Sequence, residues 1–458
     1  MSDTFDLVII GAGPAGYLAA ASASQKGMKT AIIENRQLGG TCLNRGCIPT
    51  KTLMHSSQLY RQFLNADSVG IHAEALSFHM DEIQAQKESV ITQLRSGIAA
   101  LLKKNKVTVL EGTGTILDRN LVQVGETRLE TRNILICTGS VPAMPPIPGI
   151  HLPNVLNSDA MLDRDSLYRR LIIIGGGVIG MEFASIYRDL GAEVTVIEAM
   201  DRLLGNMDKE FSQSLKMLMK KRGVPVHTGA AVQEIRSGEN GSLVCVFREK
   251  EQLLELEADG ILVAAGRRPN TEGLLGEGVS LAMERGRICV NDHFETSIPG
   301  IYAAGDVTGK IQLAHAASAQ ALCAVAYMNQ EQPPKNLTVI PSCVYTSPEI
   351  ASVGLSPEEA KASGMHVRTV KYPMSANGKS VLSGEERGFI KITVQLPSER
   401  ILGAQMMCAR ATDMIAIFAQ AISGGLSVSQ MSSVVYPHPT FSEGISEALL
   451  LFTPAEGK

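Results

Sequence analysis

Two cysteines, Cys42 and Cys47, stand five positions apart in the segment GGTCLNRGCIPTK, which runs from Gly39 to Lys51. Thiols paired in this way can cycle between dithiol and disulfide. On a regular helix their Cα atoms would lie about 8 Å apart, beyond the roughly 7 Å that a disulfide spans. The backbone between them must therefore be bent or non-helical. Gly46 permits a bend, and Pro49 suits the first turn of a helix starting near Cys47. Orphan N–H groups and the dipole at such a start lower a thiol pKa, so Cys47 is expected to be the thiolate. Two buried filler cysteines would show the same spacing, because cysteine often behaves as a small hydrophobe. The remaining six (Cys137, Cys245, Cys289, Cys323, Cys343 and Cys408) lie mostly in apolar or strand-like contexts and read as filler. None forms a CxxC or Cys/His metal box, so no metal site is expected.

A second reactive group lies near the C-terminus, where His438, Pro439, Thr440 and Glu443 occur in HPTFSE. Proline disfavours helix at His438, which places the imidazole in extended chain at a helix entrance, and Thr440 with Glu443 matches a capping box. A neutral histidine can accept a thiol proton near pH 7, and a carboxylate on its other nitrogen orients the ring. Glu443 could serve either as cap or as that partner.

The elements that must position these groups announce themselves as an internal near-repeat. Leu7–Ile10 reads as a strand, followed by Gly11, Gly13 and Gly16 as GxGxxG, an alanine-rich helix, a strand from Thr30, and Glu34. The second copy is Leu171–Ile174, then Gly175, Gly177 and Gly180, a helix, the strand Glu193–Ile197, and Glu198. In both copies the acid lies 23 residues after the first glycine. Such glycines allow a tight turn and let a pyrophosphate approach a helix N-terminus, while the acid accepts from a ribose hydroxyl. Any one glycine could instead serve a turn or a close helix–strand contact, but strand, glycines, helix, strand and acid in order indicate two dinucleotide sites. Glu198 favours NAD over NADP, because an acid would repel a 2′-phosphate; Arg202 is the one dissenting charge.

The 458 residues, 45% hydrophobic and 19% charged with net charge −4, describe a globular protein of several domains. Nothing in the charge pattern points to nucleic acid, and no apolar run approaches the roughly 20 residues needed to span a membrane. Without a secretory signal pattern or a disulfide framework, a cytoplasmic location is expected. Met80–Lys104 reads as a long amphipathic helix serving packing, its polar residues a solvated face. Similar strand ends recur at Ile134–Ser140 (ILICTGS) and Ile261–Gly266 (ILVAAG), and the Pro-rich stretch Pro142–Pro153 separates the first domain from the second. In IYAAGDVTG, Asp306 follows a strand and a glycine and could be no more than a turn aspartate.

The dinucleotide fingerprint, GGTCLNRGCIPTK, GGGVIGMEFA, AAGRRPN, AAGDVTG and HPTFSE together resemble, in order and over essentially the whole chain, the pyridine nucleotide–disulfide oxidoreductases. The likeness is strongest to members that oxidise dihydrolipoamide with NAD⁺. It implies an α/β fold with two Rossmann-like dinucleotide-binding domains and a C-terminal α+β dimerisation domain. The corresponding boundaries are 1–147 for FAD, 148–269 for NAD, 270–338 for a central domain completing the FAD site, and 339–458 for the interface. For FAD it implicates Gly11, Gly13, Gly16, Glu34, Thr41, Lys51, Gly114, Thr138, Gly139, Asp306 and Ala314. For the second dinucleotide and its surroundings it implicates Gly175, Gly177, Val178, Ile179, Gly180, Glu182, Glu198, Val232, Gly266 and Arg267. Lys51, one helical turn after Cys47, is implied to pair with Glu182, a carboxylate between Met181 and Phe183 that needs a partner.

The same resemblance makes Cys42 the sulfur attacked by substrate, Cys47 the one against the flavin, His438 the base and Glu443 its partner, with the tail reaching the opposite subunit of a homodimer. A lipoyl-bearing protein is the implied substrate, and peripheral association with an acyltransferase core is expected. One departure stands out, since the outer histidine of the usual HxHPT is replaced by Tyr436, from which altered tuning is expected. Glutathione-like reductases would want basic residues at Glu198 and Asp201 and a tyrosine at Val178; mercuric reductases would want a C-terminal cysteine pair where the sequence reads FTPAEGK. A mainly structural flavoprotein subunit would have little need of Cys42, Cys47 and His438 together.

Overall fold

The strand TFDLVII (Thr4–Ile10) is buried without a break from Leu7 onward, as a parallel strand covered on both faces must be. In the computed structural model, which describes residues 4–452, it pairs in parallel with Thr30–Glu34 and with Thr127–Ile136. Thr108–Glu111 and Ile301–Ala303 extend the sheet in parallel at either side, and the antiparallel strands Gly114–Asp118 and Leu121–Val124 complete seven strands. The helix Pro14–Gln25 buries Ala15, Ala19, Ala20 and Ala23, small side chains that let it pack closely against the alanine-rich helix Ala314–Met328.

The repeat is present as a second parallel set. Arg170–Ile174 lies between Glu193–Glu198 and Gly260–Val263, and Val155–Asn157 lies beyond the latter. A three-stranded antiparallel sheet (Ala230–Ser237, Leu243–Glu249, Gln252–Ala258) contributes Cys245 and Phe247 to the same core as Ile172 and Ile174.

By its internal contacts the chain falls into two units. One holds residues up to Gly175, Ile186–Ile197 and Ala230–Leu337; the other holds Gly176–Ser185, Glu198–Gly229 and the described residues from Thr338 on. In the second unit a five-stranded antiparallel sheet runs in the order Ser342–Val344, Glu349–Gly354, Arg400–Cys408, Phe389–Gln395, Val367–Pro373. The helices Ala411–Ser423 and Glu443–Leu450 close its core through Ile415, Phe418, Ile445 and Leu449. Lys391 is buried in this unit between acids: its Nζ lies 2.7 Å from Asp208 Oδ2 and 3.0 Å from Glu210 Oε2. The segment Thr453 to Lys458, read above as lacking a cysteine pair, lies outside the described residues.

Met80–Lys104 forms the long helix its periodicity predicts. Its polar face, however, is not simply solvated. Lys87 is buried and donates to the Leu162 carbonyl at 2.8 Å, while Gln84 Nε2 donates to the carbonyls of Leu162 at 3.1 Å and Arg164 at 2.6 Å. These carbonyls lie at and just beyond the C-terminal end of the helix Ser158–Leu162, where a cation is favoured. No helix among the described residues is long and apolar enough to cross a membrane.

Candidate functional site

The two glycine turns separate what the fold needs from what it leaves open. Gly11 has φ 102°, and a Cβ there would strike the Cys137 carbonyl; a Cβ on Gly16 would strike the Gly11 carbonyl. Both glycines are demanded by the chain itself. Gly13 is different: a Cβ on it would meet only Gly40 Cα, at 3.9 Å. In the second copy Gly175, at φ 115°, collides with the Ala264 carbonyl, whereas a Cβ on Gly177 would meet nothing within 4 Å. The middle glycine of each turn therefore faces open space at a helix N-terminus, which is where a pyrophosphate needs close approach to N–H groups.

The acids that close each repeat are held alike. Glu34 accepts from Ala12 N at 2.8 Å and Arg36 N at 2.9 Å; Glu198 accepts from Gly176 N at 2.5 Å and Met200 N at 2.7 Å. Arg202 turns its guanidinium onto the Gly205 carbonyl at 2.7 Å, within its own loop.

Cys42 lies in a short helix, Gly40–Arg45, and Cys47 opens a long one, Cys47–Leu64, with Gly46 as the break between them. The bend expected at Gly46 is there, as is the helix start at Cys47 with Pro49 in its first turn. A Cβ on Gly46 would press on the Thr41 carbonyl at 3.0 Å and Cys42 Cα at 3.4 Å, so the break is close-packed. The sulfurs share a side-chain hydrogen bond. That bond, with burial next, pushes the Cys42 thiol well above its ordinary range, and the Lys51 charge opposes the shift. Cys47, as the first residue of its helix, lies where orphan N–H groups favour negative charge. Gly40, at φ 59°, packs against the fingerprint turn, where a Cβ would come within 2.6 Å of Gly13 Cα.

Further residues of the first unit gather polar atoms that suit a cofactor. The Thr138 hydroxyl oxygen is buried with no hydrogen-bond partner among the described residues. Asp306 opens a one-turn helix after Gly305; burial raises its carboxyl pKa, opposed by Ser140, whose hydroxyl donates to it at 2.6 Å, and by Arg267. Arg267 in turn donates to Ser140 Oγ at 2.8 Å and to its carbonyl at 2.7 Å. Ser140 closes the strand end ILICTGS, but nothing in its spacing marks this link. Gly114 begins a strand against Ile10 and Ile33, Gly139 and Gly266 have φ 68° and 108° with open space at Cβ, and Ala314 begins a helix. Val232 packs partly buried beside the core of the antiparallel sheet.

In the second unit Val178, 37% exposed, and Ile179 begin the helix Val178–Asp189, with Gly180 buried behind them. Glu182 is buried and accepts from Tyr345 N at 3.1 Å. His438 and Glu443 meet as the sequence reading allowed: His438 Nδ1 lies 2.8 Å from Glu443 Oε1, and Glu443 Oε2 accepts from Thr440 N at 2.9 Å. One carboxylate thus serves ring and backbone at once. The capping box is therefore half formed: the Thr440 hydroxyl receives no helix N–H and instead donates to the Pro437 carbonyl at 2.8 Å, and the helix begins only at Glu443. The Thr440 N–H, then His438, hold the Glu443 carboxyl below its ordinary range. Since a carboxylate only accepts, Nδ1 carries the proton and Nε2 the basic lone pair. The imidazole is 78% exposed, near the exposed side chains of Val434 and Val435 along the chain. Tyr436 packs its ring against the core of this unit.

The arrangement offers a redox dithiol, two dinucleotide turns and an oriented base. Comparison with known proteins agrees with that chemistry. The family model for pyridine nucleotide-disulphide oxidoreductases matches residues 5–321, and the model for the dimerisation domain of that family matches 340–449. A dihydrolipoyl dehydrogenase of Bacillus subtilis is 39% identical over 475 residues, covering 100% of this chain and 99% of that protein. Among solved structures, LpdA from Mycobacterium tuberculosis superposes with a TM-score of 0.90 at 27% identity, covering 98% of this chain and 100% of the other. The HOCl-induced flavoprotein disulfide reductase RclA from Escherichia coli gives 0.87 at 29% identity over 98% of this chain and 100% of the other.

Proposed function

The chain belongs to the pyridine nucleotide–disulphide oxidoreductases, and from that membership we propose that it is a dihydrolipoyl dehydrogenase, oxidising dihydrolipoyl groups with NAD⁺ through resident FAD. The observation that carries the reading is the pair of free thiols Cys42 and Cys47, carried by two helices that meet at the Gly46 break, in a chain matched along its full length by a dihydrolipoyl dehydrogenase. Its C-terminal region matches the dimerisation domain of the family, and the enzyme is a homodimer.

His438 Nε2 accepts the proton of a substrate thiol, while Glu443 holds the Nδ1–H and stabilises the imidazolium that forms. The substrate thiolate attacks Cys42 in the oxidised pair, breaking its bond to Cys47. The second substrate thiol then closes the cyclic disulfide and releases the Cys42 sulfur, which takes back a proton. Cys47 is left as a thiolate at its helix N-terminus, which favours its role as leaving group. Bound FAD supplies the two-electron carrier between this dithiol and NAD⁺. Gly13 and the Thr138 hydroxyl suit the flavin dinucleotide, and Gly177 with Glu198 suits NAD. The exposure of His438 supports its service to the disulfide of the other subunit. The four-part division at 147, 269 and 338, the cytoplasmic setting and peripheral association with an acyltransferase core complete the reading.

The test is anaerobic: purified flavoprotein is mixed with dihydrolipoamide and NAD⁺, with glutathione and NADP⁺ in parallel. Formation of NADH in the first mixture alone is the expected result. Reduction of the flavin by NADH without any response to dihydrolipoamide would move the substrate to another disulfide or acceptor.

A further inference from the structure

Asn44 lies between the two cysteines and is 8% exposed. Its amide is fully engaged: Nδ2 donates to the carbonyls of Leu38 at 3.0 Å and Gly40 at 2.9 Å, and Oδ1 accepts from Arg95 Nε at 3.1 Å and Nη2 at 2.8 Å. The two carbonyls bracket Gly39, which with Gly40 takes the left-handed backbone (φ 94° and 59°) that turns the chain into the Gly40–Arg45 helix. Arg95 projects from the helix Met80–Lys104, which is itself pinned by Lys87 and Gln84 on the carbonyls near Leu162. A rigid helix thus reaches through one guanidinium to the short helix that carries Cys42.

We propose that Arg95 is a positioning residue for the redox pair, holding the Gly40–Arg45 helix through Asn44 so that the two sulfurs stay within bonding reach. The inference rests on the redox reading of Cys42 and Cys47. The helix bearing Cys42 has only six residues and ends at the Gly46 break, so its own hydrogen bonds hold it weakly. A charged donor gripping one oxygen with two N–H groups is stronger than a neutral bond, and its loss leaves a buried Asn44 oxygen without a partner. Loosening the helix lowers the effective concentration of one thiol at the other, which makes the disulfide easier to reduce. Arg95 acts through Asn44 and takes no part in the exchange itself.

The measurement uses FAD-loaded enzyme equilibrated without oxygen in graded mixtures of reduced and oxidised dithiothreitol. In this equilibrium the pair gains the two electrons and two protons that dithiothreitol loses. Acid quenching, alkylation and mass spectrometry of the peptide holding Cys42 and Cys47 then give the reduced fraction. R95M is expected to move the midpoint about tenfold toward easier reduction, equivalent to ~30 mV for a two-electron couple. R95K, which keeps one charged donor, is expected to move it by about threefold. In an N44A background R95M is expected to add less than twofold. A midpoint for R95M within twofold of wild type, or the full tenfold step repeated in N44A, overturns the proposal. Should R95M fail to fold with flavin, R95K decides by the same midpoint, and no shift overturns it. A wild-type pair that does not titrate would instead remove the redox reading itself.

Discussion

Gly13→Ala isolates the demand of a cofactor from the demand of the fold. Gly13 has φ −71° and ψ −173°, a conformation alanine adopts freely, and its added Cβ would meet only Gly40 Cα at 3.9 Å, ordinary contact. Restricting the unfolded chain stabilises by about 0.4–1 kcal/mol, and replacing glycine at a helix N-cap by alanine costs a comparable amount. The apoprotein should therefore unfold within about 0.5 kcal/mol of wild type. A pyrophosphate seated against the turn meets the new methyl as an overpacked contact costing about 1–3 kcal/mol, which weakens FAD binding by roughly 5- to 150-fold. Flavin fluorescence titration of the apoprotein reads the affinity, and denaturant unfolding reads the stability. Unchanged affinity would refute the placement of the pyrophosphate, and a loss of more than about 2 kcal/mol in the apoprotein would refute the open geometry at Gly13. Gly16→Ala supplies the contrast: its Cβ collides with the Gly11 carbonyl, so both quantities should fall together.

Cys42→Ser should abolish dihydrolipoamide turnover while leaving yellow flavin bound; full lipoyl activity in that variant would contradict the roles assigned to the pair. Glu443→Gln keeps the shape at His438 but removes the charge, and kcat/KM should drop by about a hundredfold or more near neutral pH. In wild type the Glu443 carboxylate is held below its ordinary range, so its contact with His438 is complete above that range and lost only as pH falls through the depressed value. The pH–rate profile of the variant should accordingly lack any acid limb from this group. Lys391→Met leaves the Asp208 carboxylate, 5% exposed, without its cation and should destabilise by about 3–5 kcal/mol. Adding Asp208→Asn should recover most of that loss in denaturant unfolding, and a single-variant effect under about 1 kcal/mol would show that the cluster is weakly coupled.

Features written into local spacing were legible before the structure. The glycine turns and the acids that close them each lie within a few dozen residues, and the Gly46 bend follows from the reach of a disulfide alone. Periodicity was enough to place the Met80–Lys104 helix, yet it could not say what its polar face touches. Arg95 meets Asn44 across 51 positions, Ser140 meets Asp306 across 166, and Lys391 meets Asp208 across 183. Polar pairs so distant leave no period in the chain, because they depend on how whole elements are brought together. The capping box at Thr440 is only half formed, because the helix begins at Glu443 and brings no N–H to the Thr440 hydroxyl, which donates to the Pro437 carbonyl instead.

The matched clamps on Glu34 and Glu198 bear on how long each dinucleotide stays. Backbone N–H groups at equal offsets fix both carboxylates before any ligand arrives, so rotamer entropy of about 1–2 kcal/mol is lost during folding and none remains to oppose ribose binding. Being alike, the clamps cannot distinguish a prosthetic group from a co-substrate that leaves at every turnover. On the assignment proposed above, residence time is decided at the far ends of the two ligands: beside the half-buried Asp306 and the Thr138 hydroxyl for FAD, and beside the exposed Val178 for NAD. One kind of cradle, used twice, would then hold one ligand tightly and release the other through what surrounds it.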